Sequence, residues 1–295
     1  MLELETLNPN IGAEVLGVDL GQPIDDDVIE AMKAALDAHS VLVLRGQQLD
    51  DETQVAFSAR FGALERTVYK REGDGGVPIA HISNVDLGTN EIFPPGHTRV
   101  LSNSGNEMWH SDSSFKPVPA YCSMLSGREV PPEGGQTEFA SCRAGYAALP
   151  EHERRALEGL VAQHDYAYSR SLVAGYTPPA QTLAEVPPVR HAVVRTNPRN
   201  GRKNFYTGSH ASHVVGWPVE EGRGLLRRLV EQATRREFVY AHEWQRDDFV
   251  LWDNRCVLHR GRPFDVIRHR RVMRRTTVAG IGPTVDAEGA ARPDA

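Results

Sequence analysis

The chain has 295 residues and a formal net charge of -6 at pH 7, with 33 Lys and Arg against 39 Asp and Glu. This length allows one large domain or two small ones around a substantial core. The acidic balance gives no electrostatic basis for binding nucleic acid or an anionic membrane, and no apolar run approaches the ~18 residues that span a bilayer. The three cysteines lack CxxC spacing and the N-terminus lacks a signal sequence, which together predict a cytoplasmic location.

The first part of the chain carries alternating strand and helix patterns. We predict that these elements build the core and contribute no catalytic or binding residues. An apolar run over residues 11–20 predicts a strand or hairpin arm, and residues 40–45 predict a short buried strand. Between them, acidic residues at 25–27 precede apolar residues at helical spacing, which predicts a helix. A second helix is predicted from Asp51 through Phe61.

Two segments rich in Gly, Pro, Asn and Asp, residues 71–78 and 86–107, flank a short predicted strand at 79–83. Loops of this length inside a compact domain are usually functional or mobile. Because the region leads directly into His110, we interpret about 71–107 as a lid over a site. A surface insertion without a function is the alternative.

The remainder of the chain predicts a mainly β protein with flanking helices. The predicted elements are, in chain order, a strand at 121–126, helices over about 144–162, strands at 192–195 and 204–206, a helix from 218, and antiparallel strands over 238–280. Strands scattered along the whole chain, with turn signals between them, favour a jelly roll over a parallel sheet. We predict a single domain over residues 1–295 with a helical insertion at about 142–235.

Residues 109–113, with the sequence Trp-His-Ser-Asp-Ser, contain the first candidate metal ligands. Side chains alternate along a β-strand, so on a strand His110 and Asp112 would point to one face. A third donor, His259, follows the apolar strand predicted at 249–252 and a polar turn. Two histidines and one carboxylate with open positions form the facial triad of non-heme Fe(II) oxygenases. A hydrogen-bonded structural histidine and a zinc hydrolase are the alternatives.

Residues 270–277 read Arg-Arg-Val-Met-Arg-Arg-Thr-Thr and predict a strand with two arginines on each face. Arg271 shares one face with Arg275, and Arg270 shares the other with Arg274. An inward pair needs buried carboxylates or bound anions, since an arginine offers a bidentate fork to a carboxylate. An edge strand with solvated arginines is the alternative.

These stretches resemble the taurine dioxygenase / 2,4-dichlorophenoxyacetate dioxygenase family of Fe(II)- and 2-oxoglutarate-dependent oxygenases, over nearly the whole chain. The most specific parts of the resemblance are residues 109–115, 134–137 and 252–261. Together with residues 121–126 and 209–213, they make the chain most similar to the 2,4-dichlorophenoxyacetate branch. The fold expected from the strand pattern and from this resemblance is a double-stranded β-helix (jelly roll).

The resemblance implies roles for five residues near the metal. His110, Asp112 and His259 would be the catalytic Fe(II) ligands. Thr137 and Arg271 would bind the distal carboxylate of 2-oxoglutarate. The other coordination positions would serve 2-oxoglutarate and then O2.

The substrate-contacting residues that the resemblance implies are, in chain order, Thr67, Lys70, Asn106 and Arg275. Arg275 would meet the acidic group of the substrate, and Lys70 is either a second cation for it or an exposed lysine. These assignments, and that of Arg271, are obtained by aligning residues 270–277 with the corresponding arginine-containing strand of the family. Spacing counted from His259 instead would give the two arginine roles to Arg270 and Arg274.

The reaction implied is hydroxylation of an acidic substrate, with 2-oxoglutarate converted to succinate and CO2. A phenoxyacetate such as 2,4-dichlorophenoxyacetate would be hydroxylated beside its ether oxygen and collapse to a phenol and glyoxylate. The alternatives are a dioxygenase of a sulfonate such as taurine or of an alkyl sulfate ester, and a non-catalytic jelly-roll binding protein.

The expected partners are small molecules. We expect a carboxylic acid substrate, Fe(II), 2-oxoglutarate and O2, with ascorbate as a supporting reductant. We expect neither nucleic acid nor a membrane as partner, and we expect a homo-oligomer. His210 and His213 either line the pocket or are hydrogen-bonded within the fold.

Overall fold

The computed structural model describes residues 2–66 and 78–292, and every structural statement below refers to these ranges. The substrate contacts predicted at Thr67 and Lys70 lie outside the described residues. In the part of the chain that is described, no helix is long and apolar enough to cross a membrane.

Strands and helices are distributed along the whole described chain. The strands are β1 (Glu3–Thr6), β2 (Ala13–Leu16), β3 (Val41–Leu44), β4 (Ala80–Ser83), β5 (Ala120–Glu129), β6 (Thr137–Ser141), β7 (Val161–His164), β8 (Val189–Ala192), β9 (Val194–Thr196), β10 (Lys203–Phe205), β11 (Ala211–Val214), β12 (Val239–His242), β13 (Phe249–Asp253), β14 (Val257–Gly261) and β15 (Val272–Ala279). The α-helices are α1 (Asp26–His39), α2 (Asp51–Ala59), α3 (Thr98–Ser104), α4 (Cys142–Ala147), α5 (Glu151–Leu157), α6 (Tyr166–Ser171), α7 (Ala180–Glu185) and α8 (Val219–Ala233). Short 3-10 helices lie at Gly105–Glu107 and Arg236–Phe238.

Two facing sheets build the body of the fold. The major sheet has seven strands in the order β1-β2-β3-β13-β5-β15-β4, and the minor sheet has three in the order β12-β6-β14. β2 and β3 are parallel, and the other pairs of the major sheet are antiparallel. The chain passes from the major to the minor sheet twice, from β5 to β6 and from β13 to β14, and it returns from β12 to β13 and from β14 to β15. The predicted mainly β jelly roll with flanking helices is confirmed.

The central strands of the major sheet, β3 and β13, are buried on both faces. Leu42 and Leu44 of β3 pack in a cluster with α1 and α2, whereas Val41 and Val43 pack with Phe139 of the minor sheet. Such burial stabilises the fold by about 1.5–3 kcal/mol for each large aliphatic side chain. It also explains why β3 reads as a continuous apolar run and not as an alternating one.

Residues 142–235 contain more strand than the sequence predicted. Besides α4 to α8, the segment carries the three-stranded sheet β11-β7-β8 and the pair β10-β9. The predicted helices over 144–162 are α4 and α5, separated at Pro150 and followed by β7. These elements enclose a cluster of their own around Phe205, Leu226 and Leu229.

The interval 86–107 is also more regular than predicted. It was expected to be loop throughout, but α3 and the following 3-10 helix occupy its C-terminal part. This helical part lies directly before His110 along the chain. Its role as a lid stays a prediction.

Candidate metal centre and adjoining cavities

Backbone pairing between two distant segments positions the histidines. His259 lies within β14, and His110 forms an isolated antiparallel bridge with it. The His110 amide donates to the His259 carbonyl at 3.1 Å, and the His259 amide donates back at 2.8 Å. The strand geometry considered for residues 109–113 holds only at this bridge, because Asp112 begins a turn in which Ser113 has φ 54°.

Side-chain hydrogen bonds, and not a strand ladder, fasten the segment that carries Asp112. The Asp112 amide donates to Oδ1 of Asn254 at 3.1 Å, and Ser111 Oγ donates to the Asn254 carbonyl at 2.6 Å. Asn254 belongs to the turn between β13 and β14. The turn that leads into His259 therefore also fixes the position of Asp112.

His110, Asp112 and His259 bring three buried donor atoms within 4.8 Å of one another. His110 Nε2 lies 4.0 Å from Asp112 Oδ1, and His259 Nε2 lies 3.7 Å from Asp112 Oδ2. Nδ1 of His110 lies 2.8 Å from the Met108 carbonyl, which only accepts, so Nδ1 carries the proton. This leaves the Nε2 lone pair of His110 free to coordinate a metal ion.

The charges of the three groups suit a divalent cation. Burial lowers the pKa of His110 and of His259, which keeps both imidazoles neutral. Burial by itself would raise the pKa of Asp112, but the Arg275 guanidinium and the hydrogen bond from Ser123 hold that pKa below its ordinary value. Two neutral imidazoles and one carboxylate are a hard-to-borderline donor set of the kind that binds Fe(II).

Both oxygens of Asp112 also contact neighbouring side chains. Oδ2 accepts a hydrogen bond from Ser123 Oγ at 2.7 Å, and Oδ1 lies 2.5 Å from Nη1 of Arg275. Ser123 Oγ accepts in turn from Nδ2 of Asn254 at 2.8 Å. Sequence reasoning missed the roles of Ser123 and Asn254. Asn254 at least lies within the stretch that carried the family resemblance, whereas Ser123 reaches Asp112 across the sheet and has no signal in its spacing.

The first of two cavities beside the three donors has a volume of about 320 Å³. Its wall includes His110, His259, Asn106, Thr137, Arg271 and Arg275. Burial of the Arg271 guanidinium lowers its pKa to about 10, and within the described ranges its Nε has no hydrogen-bond partner. Trp244 Nε1 donates to Thr137 Oγ1 at 2.9 Å and orients that hydroxyl. This cavity, called the first cavity below, therefore offers a cation and a hydroxyl to a carboxylate.

The two arginine pairs lie on different sides of the sheet. Arg270 donates to Glu129 at 2.6 Å, and Arg274 Nε lies 3.4 Å from Asp51 Oδ1. Arg271 and Arg275 instead line the first cavity. The structure thus places Arg271 and Arg275, and not Arg270 and Arg274, beside the metal ligands. Arg271 itself immediately precedes β15.

The second cavity has a volume of about 440 Å³ and includes His110, Asp112, Asn106 and Arg275 in its wall. Its most distinctive part is an aromatic wall formed by Phe115, Tyr166 and His210. The ring centroids of Phe115 and Tyr166 lie 4.9 Å apart, and those of Phe115 and His210 also lie 4.9 Å apart. A flat apolar group would fit against these rings.

The two histidines that the sequence left unassigned have different environments. His210 is buried and lines the second cavity. His213 lies on β11, where its Nδ1 is 3.0 Å from Ser212 Oγ, and it lines neither cavity. His210 therefore faces the pocket, whereas His213 is hydrogen-bonded within the fold.

Several known proteins are similar to this chain in both sequence and structure. Residues 3–277 match the family described as "Taurine catabolism dioxygenase TauD, TfdA family". The alpha-ketoglutarate-dependent 2,4-dichlorophenoxyacetate dioxygenase of Cupriavidus pinatubonensis (strain JMP 134 / LMG 1197) is 43% identical over 277 residues, which cover 92% of this chain and 96% of the relative. The (S)-phenoxypropionate/alpha-ketoglutarate-dioxygenase of Delftia acidovorans is 36% identical over 300 residues, covering 98% of each chain. The crystal structure of AAD-2 in complex with Mn(II) and N-oxalylglycine matches with a TM-score of 0.89 and 39% identity, covering 97% of this chain and 99% of the other.

Proposed function

The chain belongs to the taurine catabolism dioxygenase TauD, TfdA family, and from that premise we propose that it hydroxylates an aryloxyalkanoic acid such as 2,4-dichlorophenoxyacetate. It is an Fe(II)- and 2-oxoglutarate-dependent dioxygenase. The observation that carries the proposal is a buried His-Asp-His cluster bordering two cavities, one with a cation and a hydroxyl and the other with an aromatic wall.

Fe(II) would be held by His110, Asp112 and His259. The neutral imidazoles and the ionised carboxylate fit a divalent cation, and their donor atoms are close enough to share one. When bound, Fe(II) supplies the redox chemistry that couples decarboxylation of 2-oxoglutarate to hydroxylation of a C–H bond. The protein contributes the orientation of the reactants and the exclusion of bulk water.

2-Oxoglutarate would occupy the first cavity. Arg271 offers a bidentate fork to its distal carboxylate, and Thr137 offers a hydroxyl beside that fork. The AAD-2 complex supports binding of 2-oxoglutarate as such, because N-oxalylglycine, the ligand in that structure, is an analogue of 2-oxoglutarate.

The organic substrate would occupy the second cavity. The aromatic wall of Phe115, Tyr166 and His210 suits an aryl ring better than the short aliphatic chain of taurine. Arg275 supplies a cation for the acidic group close to the metal ligands, and Asn106 adds an amide. The relatives named for phenoxyacetate and phenoxypropionate substrates support the same substrate class.

The proposed reaction balances without a further reactant. The substrate, O2 and 2-oxoglutarate give a hydroxylated acid, succinate and CO2, with one oxygen atom of O2 in succinate and the other in the new hydroxyl group. Hydroxylation beside the ether oxygen of a phenoxyacetate forms a hemiacetal. That hemiacetal breaks its C–O bond to release a phenol and glyoxylate.

A substrate panel tests this function. Purified protein with Fe(II) and 2-oxoglutarate should develop a visible metal-to-ligand charge-transfer band under anaerobic conditions. On addition of O2, we expect succinate and phenol in equal amounts with 2,4-dichlorophenoxyacetate and with a phenoxypropionate. Faster succinate release with taurine or an alkyl sulfate would replace the aryloxy assignment, and absence of the band would contradict the oxygenase assignment.

Two broader proposals accompany the function. We propose that the protein acts as a homo-oligomer in the cytoplasm, as its sequence predicts. Light scattering on the purified full chain measures the assembly, and a single-subunit mass would contradict it. Fractionation of the source cells tests the location.

A further inference from the structure

Arg170 is a buried cation in the second cavity that the proposed reaction does not use. It lies on α6, is 8% exposed and lines the cavity together with Tyr166 of the same helix. Its guanidinium carbon lies 4.9 Å from the centroid of the Tyr166 ring. The cation is therefore next to the aromatic wall.

Arg170 has few partners for a buried guanidinium. Its Nη1 donates to the Ser102 carbonyl at 3.2 Å, while its buried Nε has no hydrogen-bond acceptor among the described residues. No described carboxylate forms an ion pair with it. Burial of a charge without a counter-charge is costly, so such a group is usually retained for a ligand or a structural contact.

The carboxylates of the second cavity are each paired with another cation. Its described carboxylates are Glu65 and Asp112. Lys116 lies 2.5 Å from Glu65, and Arg275 lies 2.5 Å from Asp112. Neither carboxylate is left to neutralise Arg170, so the cavity keeps a positive charge beside its aromatic wall.

The backbone near Arg170 is shaped to admit its guanidinium. Gly105 precedes Asn106 in the 3-10 helix, and a Cβ at Gly105 would overlap Nη1 of Arg170. Glycine at this position therefore lets the cation approach the turn that carries a cavity-lining amide. The guanidinium lies close to the space that a bound aryl ring would fill.

We propose that Arg170 binds a second anionic group, carried on the aryl ring of the substrate. This inference rests on the proposed function and narrows its substrate class to aryloxyalkanoic acids with a carboxylate on the ring. Phe115, Tyr166 and His210 contact the ring, Arg275 meets the alkanoate, and Arg170 receives the ring carboxylate through its bidentate fork. The alternative is a structural contact, in which Arg170 only ties α6 to α3 through the Ser102 carbonyl.

Matched substrates separate the two roles. We compare 3- and 4-carboxyphenoxyacetate with 3- and 4-methylphenoxyacetate, using wild type, Arg170→Gln, Arg170→Lys and the control Arg99→Gln. Arg99 also lines the second cavity, so its variant reports the effect of removing any positive charge there. Affinity is measured by calorimetry on protein loaded with Mn(II) and N-oxalylglycine, and kcat/KM is measured with Fe(II) and 2-oxoglutarate.

The expected result is a selective loss. Arg170→Gln should weaken binding and kcat/KM of at least one carboxy compound by 10-fold or more, and change the methyl compounds by less than twofold. Arg170→Lys should recover part of the loss, because it keeps the charge but not the fork. Arg99→Gln should leave the carboxy-to-methyl ratio close to that of wild type.

Other outcomes overturn the inference. Equal losses for carboxy and methyl compounds would assign Arg170 to a structural role, and so would a lower melting temperature with an unchanged ratio. Equal ratios in all variants, or no binding of any carboxy compound to wild type, would also contradict it. Because binding is measured without turnover, selective binding through Arg170 without succinate release would refute the proposed function and leave this inference standing.

Discussion

Asp112 is a carboxylate whose two oxygens are both held by neighbouring side chains. Arg275 contacts Oδ1, and Ser123 donates to Oδ2 while accepting from Asn254. These contacts limit the rotation of the carboxylate before any metal ion arrives. A ligand that is oriented in advance loses less conformational freedom on coordination, which strengthens binding.

Ser123→Ala tests this support at the scale of one hydroxyl. Loss of the hydrogen bond to Oδ2 should weaken metal binding by roughly 10- to 100-fold, as outer-shell substitutions typically do. Mn(II) titration followed by calorimetry measures the change. Ser126→Ala is the matched control, because Ser126 lies on the same strand but donates to Gln54 on the other face. Equal affinities in the two variants would show that Ser123 does not position Asp112.

Arg271→Gln tests the assignment of the co-substrate carboxylate. A charge-assisted hydrogen bond contributes about 1.5–3 kcal/mol, so the KM for 2-oxoglutarate should rise roughly 10- to 100-fold. Arg270→Gln is the control, since Arg270 donates to Glu129 and does not line the first cavity. Succinate release at varied 2-oxoglutarate gives both values. A normal KM in Arg271→Gln with a raised KM in Arg270→Gln would exchange the two roles.

Single residues were the scale at which sequence reasoning was most informative. His110, Asp112 and His259 could be proposed together because their donor types match one kind of metal site, and the resemblance added Thr137 and Arg271. Residues that reach the site from other elements of the fold were not predicted. Ser123 and Arg170 reach the site across a sheet and from a separate helix, and no regular spacing relates them to the metal ligands.

At the scale of elements, the turn between β13 and β14 is held by a buried ionic network. Asp253 is fully buried, and it accepts hydrogen bonds from Arg143 and Arg255 at 3.1 and 2.8 Å. Arg255 also contacts Asp37 of α1 at 2.6 Å. The network ties a helix outside the major sheet to the turn that contains Asn254.

Asp253→Ala should therefore destabilise the whole fold. Removing this carboxylate leaves Arg143 and Arg255 with less compensation for their buried charges, which typically costs roughly 3–5 kcal/mol. Urea unfolding followed by circular dichroism measures the free energy of unfolding. Glu151→Ala is the control, because its pair with Arg155 is exposed and contributes little. A loss no larger than that of the control would contradict a structural role for Asp253.

Elements near the site were the hardest to predict. The alternation rule assumed a strand over residues 109–113, but the pairing stops after His110 and Asp112 enters a turn. In place of strand pairing, the side chain of Asn254 accepts a hydrogen bond from the Asp112 amide. A local sequence pattern cannot reveal a hydrogen bond between residues so far apart in the chain. The apolar runs of β3 and β13 were foreseen more easily, since burial on both faces produces a signal in the strand itself.

At the scale of the whole molecule, stability depends on histidines that stay neutral inside the fold. His164 and His191 are fully buried, and burial lowers the pKa of His191 to about 4. The His191 ring lies 2.8 Å from Thr284 Oγ1 and 3.1 Å from the Lys116 carbonyl. It therefore joins the C-terminal part of the described chain to the segment after Asp112.

This burial predicts a loss of stability in mild acid. Below the unfolded-state pKa of His191, 6.5, and above its folded-state pKa of about 4, the unfolded chain binds more protons than the folded chain. The stabilisation is thus complete above pH 6.5 and falls as the pH drops, by ~2 kcal/mol for His191 at pH 5. Urea unfolding at pH 7.5, 6 and 5 measures the slope.

Two variants identify the source of that slope. His191→Gln should have a shallower dependence on pH, since it cannot take up a proton in the unfolded chain. His152→Gln, at an exposed position on α5, should keep the wild-type slope. Identical slopes in all three proteins would place the acid sensitivity elsewhere.

The bridge between His110 and His259 also has a consequence for folding kinetics. It joins residues separated by about half of the chain, and the strand that carries His259, β14, is itself paired with β6. Contacts between such distant residues form late, because a large loop must close before they are made. A refolding chain should therefore regain helical and strand signals before it regains metal affinity. Stoichiometric metal titration then counts the molecules that have completed folding, and excludes those that are merely compact.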